Sequence, residues 1–500
     1  MTQPSFWRGA LGRGAASLAV LLTAAACTHM QPGRAISGAV SQAPAVPWSP
    51  PPAGQMPQAP ASTLEIPPQY LKPGTTFSLA QLVDVALRNN PATREAWHFA
   101  RAAAAEVGVK QAEFFPYIEL DGSITREKQT ALGGQPSQFT YLQTTYGPAA
   151  ALNWLLFDFG GRSADVAEAR AALFAADWGH NAAIQDVVLQ VAQAYYTYLN
   201  DKALVVARQV NLEDARSNLD AAEARHRAGV ATIADVLLAK TSVSQAELNL
   251  QIAQGLVQVI RGTLATAVGV PATVPVDVGE LPEELPLDRV TKSVDELIAQ
   301  ASAERPDLAA RRFEAEAAQQ HIQSVLADGL PKLVALGTLN RTYYYNSTQS
   351  PYSDNYTGAI LLRIPVFTGL DTVYSTRKAK EEAELARAAA VRTQDQVTLD
   401  VWTSYYAVRT AAQTVRTTKD LLASASQSAD VEEGRYKEGV GSILDLLSAQ
   451  TSLANARAQD VEARSLWFLA MAQLAHATGA LLPRAAEIVN PAHKENGGIP

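Results

Sequence analysis

Two aspartates, Asp235 and Asp445, each stand six residues after a glycine, Gly229 and Gly439, and Tyr436 stands three residues before the second glycine. Carboxylates fixed beside a glycine turn have two physical uses. Gathered around a narrow opening, they raise the local cation concentration and oppose anions through their summed field. Placed within two turns of a helix start, each instead caps its helix, because a carboxylate favours the positive N-terminal end. Glycine at a tight reversal supplies a positive φ, and its missing side chain leaves room for a partner helix.

The rest of the chain composes no reaction centre. Seven histidines, His29, His98, His180, His226, His321, His476 and His493, are scattered, with no HExxH pair, P-loop or GxSxG elbow. The chain therefore reads as no enzyme and as a holder of no metal or cofactor. Its net charge of −8 and its 18% of charged residues argue against a nucleic-acid partner, which needs a basic face.

Cys27 is the single cysteine, so it forms no internal disulfide. Arg8 and Arg13 lead into an apolar run over 15–26, which reads as an export signal ending at that cysteine. A lone cysteine behind small residues at such a site is an acceptor for a lipid that anchors the mature N-terminus. The segment resembles a bacterial lipoprotein signal, with Ala24 where that pattern prefers leucine.

The elements that must position Asp235 and Asp445 come in duplicate. Arg225 to Ser242, RHRAGVATIADVLLAKTS, returns from Arg435 to Ser452 as RYKEGVGSILDLLSAQTS at a constant offset of 210. A chain that repeats itself in this way is two copies of one unit. Ahead of each copy, 161–227 and 370–437 lack proline and nearly lack glycine. As helix, roughly 67 residues extend about 100 Å at 1.5 Å per residue. The positions Val187, Val191, Ala194 and Tyr198 step by four, three and four, and Val397, Val401, Ser404 and Val408 repeat the steps, a narrow stripe suited to coiled-coil packing. Partner helices follow over about 233–268 and 443–478, ending at Gly269 and Gly479. Each half thus predicts a long helical hairpin whose turn holds Gly229 or Gly439.

Earlier in each half, Ser78 and Ser293 open short helices, Pro91 and Pro306 punctuate them, and second helices run to about Phe115 and Leu330. Pro116 and Pro331 stop those helices at an offset of 215, so a length difference of five residues falls between Pro116 and Phe157, as a variable hairpin loop produces. There the apolar period changes from helical to two. Strands are predicted at about 117–125, 144–157, 332–343 and 356–367. Aromatics gather at their ends, including Tyr141, Tyr146, Trp154, Phe157, Phe159, Tyr343, Tyr352, Tyr356 and Phe367. No segment after the signal holds the roughly 20 apolar residues of a spanning helix, so a later membrane crossing must use strands. Four strands are too few to close a barrel, whose smallest forms need about eight. Copies of the chain must complete it, and three would supply twelve strands.

With its export signal, duplicated helix, strand-pair and long-helix layout, and AGVATIADVLLA and EGVGSILDLLSAQTSL at the turns, the chain from about Phe77 to Ala480 resembles the TolC family of outer-membrane efflux proteins. The resemblance implies a mainly α homotrimer with a membrane β-barrel, four strands coming from each chain to make twelve. Below the barrel it implies a long α-helical coiled-coil tunnel built from the two internal repeats. It implies a passive exit duct in the outer membrane, anchored to lipid, with its helical body in the periplasm. A periplasmic adaptor protein would open it, and an inner-membrane transporter would supply the energy. Matched onto this sequence, Gly229 and Gly439 become the turn and adaptor-docking glycines. Asp235, Asp445 and Tyr436 become the periplasmic aperture, with Tyr436 bonding to Asp235. Two positions depart from the family pattern, Gly441 for an arginine and Ser448 for an aspartate, and these predict a missing closing link. The competing reading is a lipid-anchored periplasmic coiled-coil structural protein without channel activity.

The expected organisation is a signal peptide at 1–26 and a proline-rich, lipid-anchored linker at 27–76. Repeats follow at 77–270 and 293–480 around an inter-repeat linker at 271–292, with an irregular tail at 481–500. Because Tyr436 faces His226 across the repeat, the two hairpins are expected to move differently, the second being the mover.

Overall fold

Twelve elements alternate as the two repeats require, in a computed structural model that describes residues 76–132, 138–288, 290–345 and 351–481. Cys27, the export signal, nearly all of the proline-rich linker and nearly all of the C-terminal tail lie outside the described residues. The first half carries α1 (Leu79–Asn89), α2 (Pro91–Ala112), β1 (Tyr117–Leu132), β2 (Gln138–Phe157), α3 (Gly161–Arg227) and α4 (Ile233–Ala267). The second carries α5 (Val294–Glu304), α6 (Pro306–Asp328), β3 (Lys332–Tyr344), β4 (Tyr352–Arg363), α7 (Asp371–Lys437) and α8 (Ile443–Ala477). No helix among the described residues is long and apolar enough to cross a membrane.

Local chemistry sets the helix boundaries. Ser78 and Ser293 each accept from the amide three residues on, and Gln81 and Glu296 reach back to close a capping box. Pro91 and Pro306 occupy first helical positions, where the missing N–H costs nothing. The helices α3 and α7 are 67 residues each, about 100 Å at 1.5 Å per residue. At their far ends the helices stop on left-handed glycines, with amides returning to carbonyls five and three residues back: Val230 to Arg225 and Gly229 to His226, then Val440 to Arg435 and Gly439 to Tyr436.

Two equivalent cores hold α3 and α7 to their short helices. Val187, Val191, Tyr198 and Leu199 pack against Leu82 and Val85 of α1, Leu264 of α4 and Val276 and Val278 of the inter-repeat linker. In the second half Val397, Val401 and Val408 pack against Leu297, Leu308 and Leu474. The linker is strapped to the first core. Phe77 bridges Val278, and Asp277 accepts from Lys202 at 2.9 Å and from Tyr198 at 3.0 Å.

The strands form one antiparallel sheet in the order β1-β2-β3-β4, so the pairing of β2 with β3 joins the two halves. The first strand pair runs beyond the predicted limits, because residues 126–132 and 138–143 continue the ladder rather than forming loop. The fourth strand begins four residues earlier than predicted and ends at Arg363. Ile364 and Pro365 close it, since proline cannot donate to the ladder, and Phe367 lies beyond it.

Cross-strand pairing sorts the sheet into two faces. Ile118, Leu120 and Ile124 share one face with Leu152, Ala150 and Tyr146 of β2, Leu339 and Tyr343 of β3, and Tyr356, Ile360 and Leu362 of β4. The other face carries Glu119, Asp121, Ser123, Thr338, Asn340, Asn355 and Thr357. Tyr146 stacks on Tyr343 near the hairpin ends, while Phe157 meets Phe159 and Trp154 donates to the Phe114 carbonyl near the helices. The side chain of Tyr141 lies outside the described residues. Leu120 is 82% exposed and Tyr356 is 86% exposed, and among the described residues β1 and β4 have no strand partner on their outer edges.

The sheet meets the long helices through sharp left-handed turns, Phe159 and Gly160 before α3, Gly369 and Leu370 before α7. The first turn is pinned by Arg162, which donates to Asp158 and to the carbonyls of Glu113, Leu155 and Leu156, with its guanidinium 4.7 Å from the centre of the Phe114 ring. The matching position at the start of the second long helix is Thr372, whose side chain bonds to that of Thr368.

Candidate functional site

The ends of the two helical hairpins lie together. Ala222 of α3, Ala239 of α4, Tyr436 of α7, and Ile443 and Leu446 of α8 form one small buried cluster, so the first turn and the second turn share a core. Alanine at 222 and 239 is what permits this approach, because each is fully buried with no larger side chain to hold the helices apart.

The glycines at the turns have φ of 75° at Gly229 and 80° at Gly439, the left-handed region in which a β-carbon is strained. The space around them differs. Nothing lies near the position a β-carbon on Gly229 would take, whereas on Gly439 it would lie 3.6 Å from the Arg225 guanidinium. Around both turns the surface is apolar: Val230, Ile233, Leu237, Val440 and Leu444 are all exposed.

The two aspartates occupy equivalent helix positions and do unequal things. Thr232 caps α4 by accepting from the Asp235 amide, and the Asp235 carboxylate returns the bond by accepting from the Thr232 amide at 2.8 Å. In α8, Ser442 accepts from the Asp445 amide at 3.1 Å, but the capping is one-sided and the Asp445 side chain stays exposed. Capping thus accounts for the Asp235 carboxylate, while that of Asp445 is left facing solvent.

Tyr436 does not make the bond expected of it. Its hydroxyl is buried with no hydrogen-bond partner, and the Asp235 carboxylate turns one oxygen back to its own helix cap. Asp235 still lies close enough to act on it electrostatically. Burial pushes the Tyr436 phenol above its ordinary range, Arg225 opposes that shift and Asp235 adds to it. The contact Tyr436 does make is with Arg225, whose Nη1 donates to the Tyr436 carbonyl at 2.7 Å and whose guanidinium centre lies 4.7 Å from the ring centroid.

Arg225 is the residue that sequence reasoning passed over. It matches Arg435 in the repeat, and its signal was the following position, where His226 in one copy faces Tyr436 in the other. His226 Nδ1 lies 3.0 Å from the Ala231 carbonyl of its own turn. The substituted positions also have a place. A β-carbon on Gly441 would lie 3.0 Å from that of Arg435, and the Gly441 amide donates to the Arg435 carbonyl, so the second turn closes tightly over Arg435. Ser448 is exposed on α8, with its carbonyl accepting from Ser452.

Comparison with known proteins places this architecture. Residues 82–270 and 297–480 match the family described as Outer membrane efflux protein. Protein CyaE of Bordetella pertussis is 27% identical over 441 residues, covering 88% of this chain and 90% of that protein. Outer membrane efflux protein BepC of Brucella suis is 25% identical over 398 residues, covering 79% of this chain and 83% of that protein. Among solved structures, the outer membrane protein VceC of Vibrio cholerae superposes with a TM-score of 0.71 at 22% identity, over 80% of this chain and 96% of that one.

Proposed function

Since the chain belongs to the outer membrane efflux protein family, matched over both of its halves, we propose that three copies assemble into a passive exit duct of a tripartite efflux or secretion system. The observation that carries the reading is the sheet. Four strands present an exposed apolar face, a polar opposite face and, among the described residues, two unpaired edges. In lipid an open edge leaves backbone groups unsatisfied, so β4 of one copy must pair with β1 of the next until the ring closes. The apolar face then meets lipid and the polar face lines water. Cys27, when lipidated, adds a second hold on the outer membrane.

The helices continue that lumen into the periplasm as a tunnel, and the hairpin turns narrow its inner end. Asp445, with its free carboxylate, lines the aperture, and Asp235 contributes more weakly because one of its oxygens is engaged in the cap. The exposed apolar residues around Gly229 and Gly439 offer a docking surface for the helical hairpin of a periplasmic adaptor protein, which dilates the tip. The duct itself performs no catalysis. An inner-membrane transporter supplies the energy and selects the cargo.

The test is conductance. Purified protein in a planar bilayer is expected to form cation-preferring channels and to migrate as a heat-modifiable oligomer. Absence of both channels and oligomers would overturn the duct.

A further inference from the structure

Each repeat places an arginine four residues before its turn glycine, and the two arginines make different contacts. Arg435 donates to Glu432 on its own helix at 2.7 Å. Arg225 leaves its own hairpin for the second one, donating to the Tyr436 carbonyl and covering the Tyr436 ring. Its Nη2 faces the turn at Gly439, and its Nε is buried with no partner, as is the Tyr436 hydroxyl. The guanidinium is thus inserted against the neighbouring turn by its planar face and one donor.

The two turns also differ in how they hold themselves. The first has a complete capping box between Thr232 and Asp235 and a contact from His226 to the Ala231 carbonyl. In the second turn the cap is one-sided, and Tyr436, which stands where His226 does, makes no side-chain hydrogen bond. The second turn keeps its own backbone bond from the Gly441 amide to the Arg435 carbonyl, but beyond the Ser442 cap the side-chain tie on it comes from Arg225.

We propose that Arg225 is the latch that holds the second hairpin closed against the first, working through the ring and main-chain carbonyl of Tyr436 rather than through its hydroxyl. The proposal rests on the duct reading and names the positioning residue of its gate. A guanidinium over an aromatic face and a charged donor on a carbonyl both strengthen where water is excluded, and the buried ring supplies that setting. Because Arg225 stands on the self-tied hairpin, it ties the dependent hairpin to the stable one. Opening then requires the adaptor to separate the Arg225 guanidinium from the Tyr436 ring.

Two measurements on the full-length trimer test this. Conductance in planar bilayers is compared for the parent protein, Arg225→Ala, Arg225→Lys, Tyr436→Phe, Tyr436→Leu and the repeat control Arg435→Ala. Arg225→Ala and Tyr436→Leu are expected to raise the open fraction roughly tenfold, the loss of one desolvated cation–π contact. Arg225→Lys should restore part of the closure, since lysine keeps the charge but not the planar fork. Tyr436→Phe, which removes only the unpartnered hydroxyl, is expected to open the duct at least several-fold less than Arg225→Ala. The latch is overturned if Tyr436→Phe opens the duct as widely as Arg225→Ala, or if Arg435→Ala opens it as widely as either. Amide hydrogen exchange supplies the second measurement and needs no conductance. Arg225→Ala should speed exchange at 436–442 and leave 226–232 unchanged, and equal exchange in both proteins overturns the latch. A parent protein that never conducts, with faster exchange at 436–442 in Arg225→Ala, would overturn the duct and keep the latch.

Discussion

The carbonyl of Arg341 on β3 occupies the space that a side chain on Gly147 of β2 would need: a β-carbon there would lie 1.8 Å from the oxygen. This contact falls within the one pair of strands that joins the two halves. Gly147→Ala is therefore expected to force β2 and β3 apart locally and to weaken the sheet of every protomer. The heat-resistant oligomer on a denaturing gel should disappear at a temperature at least several degrees lower than in the parent, and an unchanged transition would contradict the prediction.

Arg162 is a buried cation whose ion pair with Asp158 is also buried, with side chains 7% and 9% exposed. Removing the arginine strands the Asp158 carboxylate and frees three carbonyls at once. Arg162→Met is expected to cost about 3 kcal/mol. Thermal unfolding checks this, and Thr372→Met at the matching junction of the second half should cost much less.

Asp277 ties the inter-repeat linker to α3. Burial pushes its carboxyl up, but hydrogen bonds from Lys202, the Val278 amide and Tyr198 outweigh burial and hold it below the usual carboxylate range. Tyr198 in turn is pushed up to about 12 by burial and by the Asp277 charge. A carboxylate depressed in the folded state stabilises above its unfolded pKa, near 3.9, and that stability is lost as the pH falls through the folded value. Asp277→Asn should therefore lower the melting temperature at neutral pH, by about 1 kcal/mol of stability for a half-exposed group. The gap between variant and parent should close once the pH has fallen through the folded value, which lies below the usual carboxylate range; a gap that persists in stronger acid would point to a cause other than charge.

The unequal carboxylates of the tip make a graded prediction. Asp445→Asn should reduce the cation preference read from reversal potentials, and Asp235→Asn should reduce it less, since one Asp235 oxygen is held by the Thr232 amide. Asp235→Ala should add a loss of about 1 kcal/mol at the start of α4. Equal selectivity changes for the two Asn variants would show that capping does not withdraw Asp235 from the aperture.

The long helices were legible because punctuation alone bounds them. Glycine and proline are absent or nearly so within α3 and α7 and present at their ends, and the stepping of Val187, Val191 and Tyr198 names the buried side. The start of β4 was not legible, since Tyr352, Ser353, Asp354 and Asn355 look like loop. They pair because β3 supplies Arg341 opposite Asp354, and the two form an ion pair at 2.6 Å. At the tip, the turn glycines and capping residues follow from local rules, whereas the Arg225 contact spans 211 residues. The neighbouring exchange of His226 for Tyr436 marks the place, but the contact itself comes from the packing of Ala222 and Ala239, which brings the second turn within reach of Arg225.

That difference between equivalent arginines follows from carrying both repeats on one polypeptide. Were each repeat a separate subunit, any substitution would appear at every position around the ring, and a residue that locks would lock everywhere. Covalent tandem linkage lets one copy carry the extra ties, Arg162 at its junction with the sheet and a two-sided cap at its turn. On the reading proposed above, that copy is the stator and the other, once unlatched, the rotor.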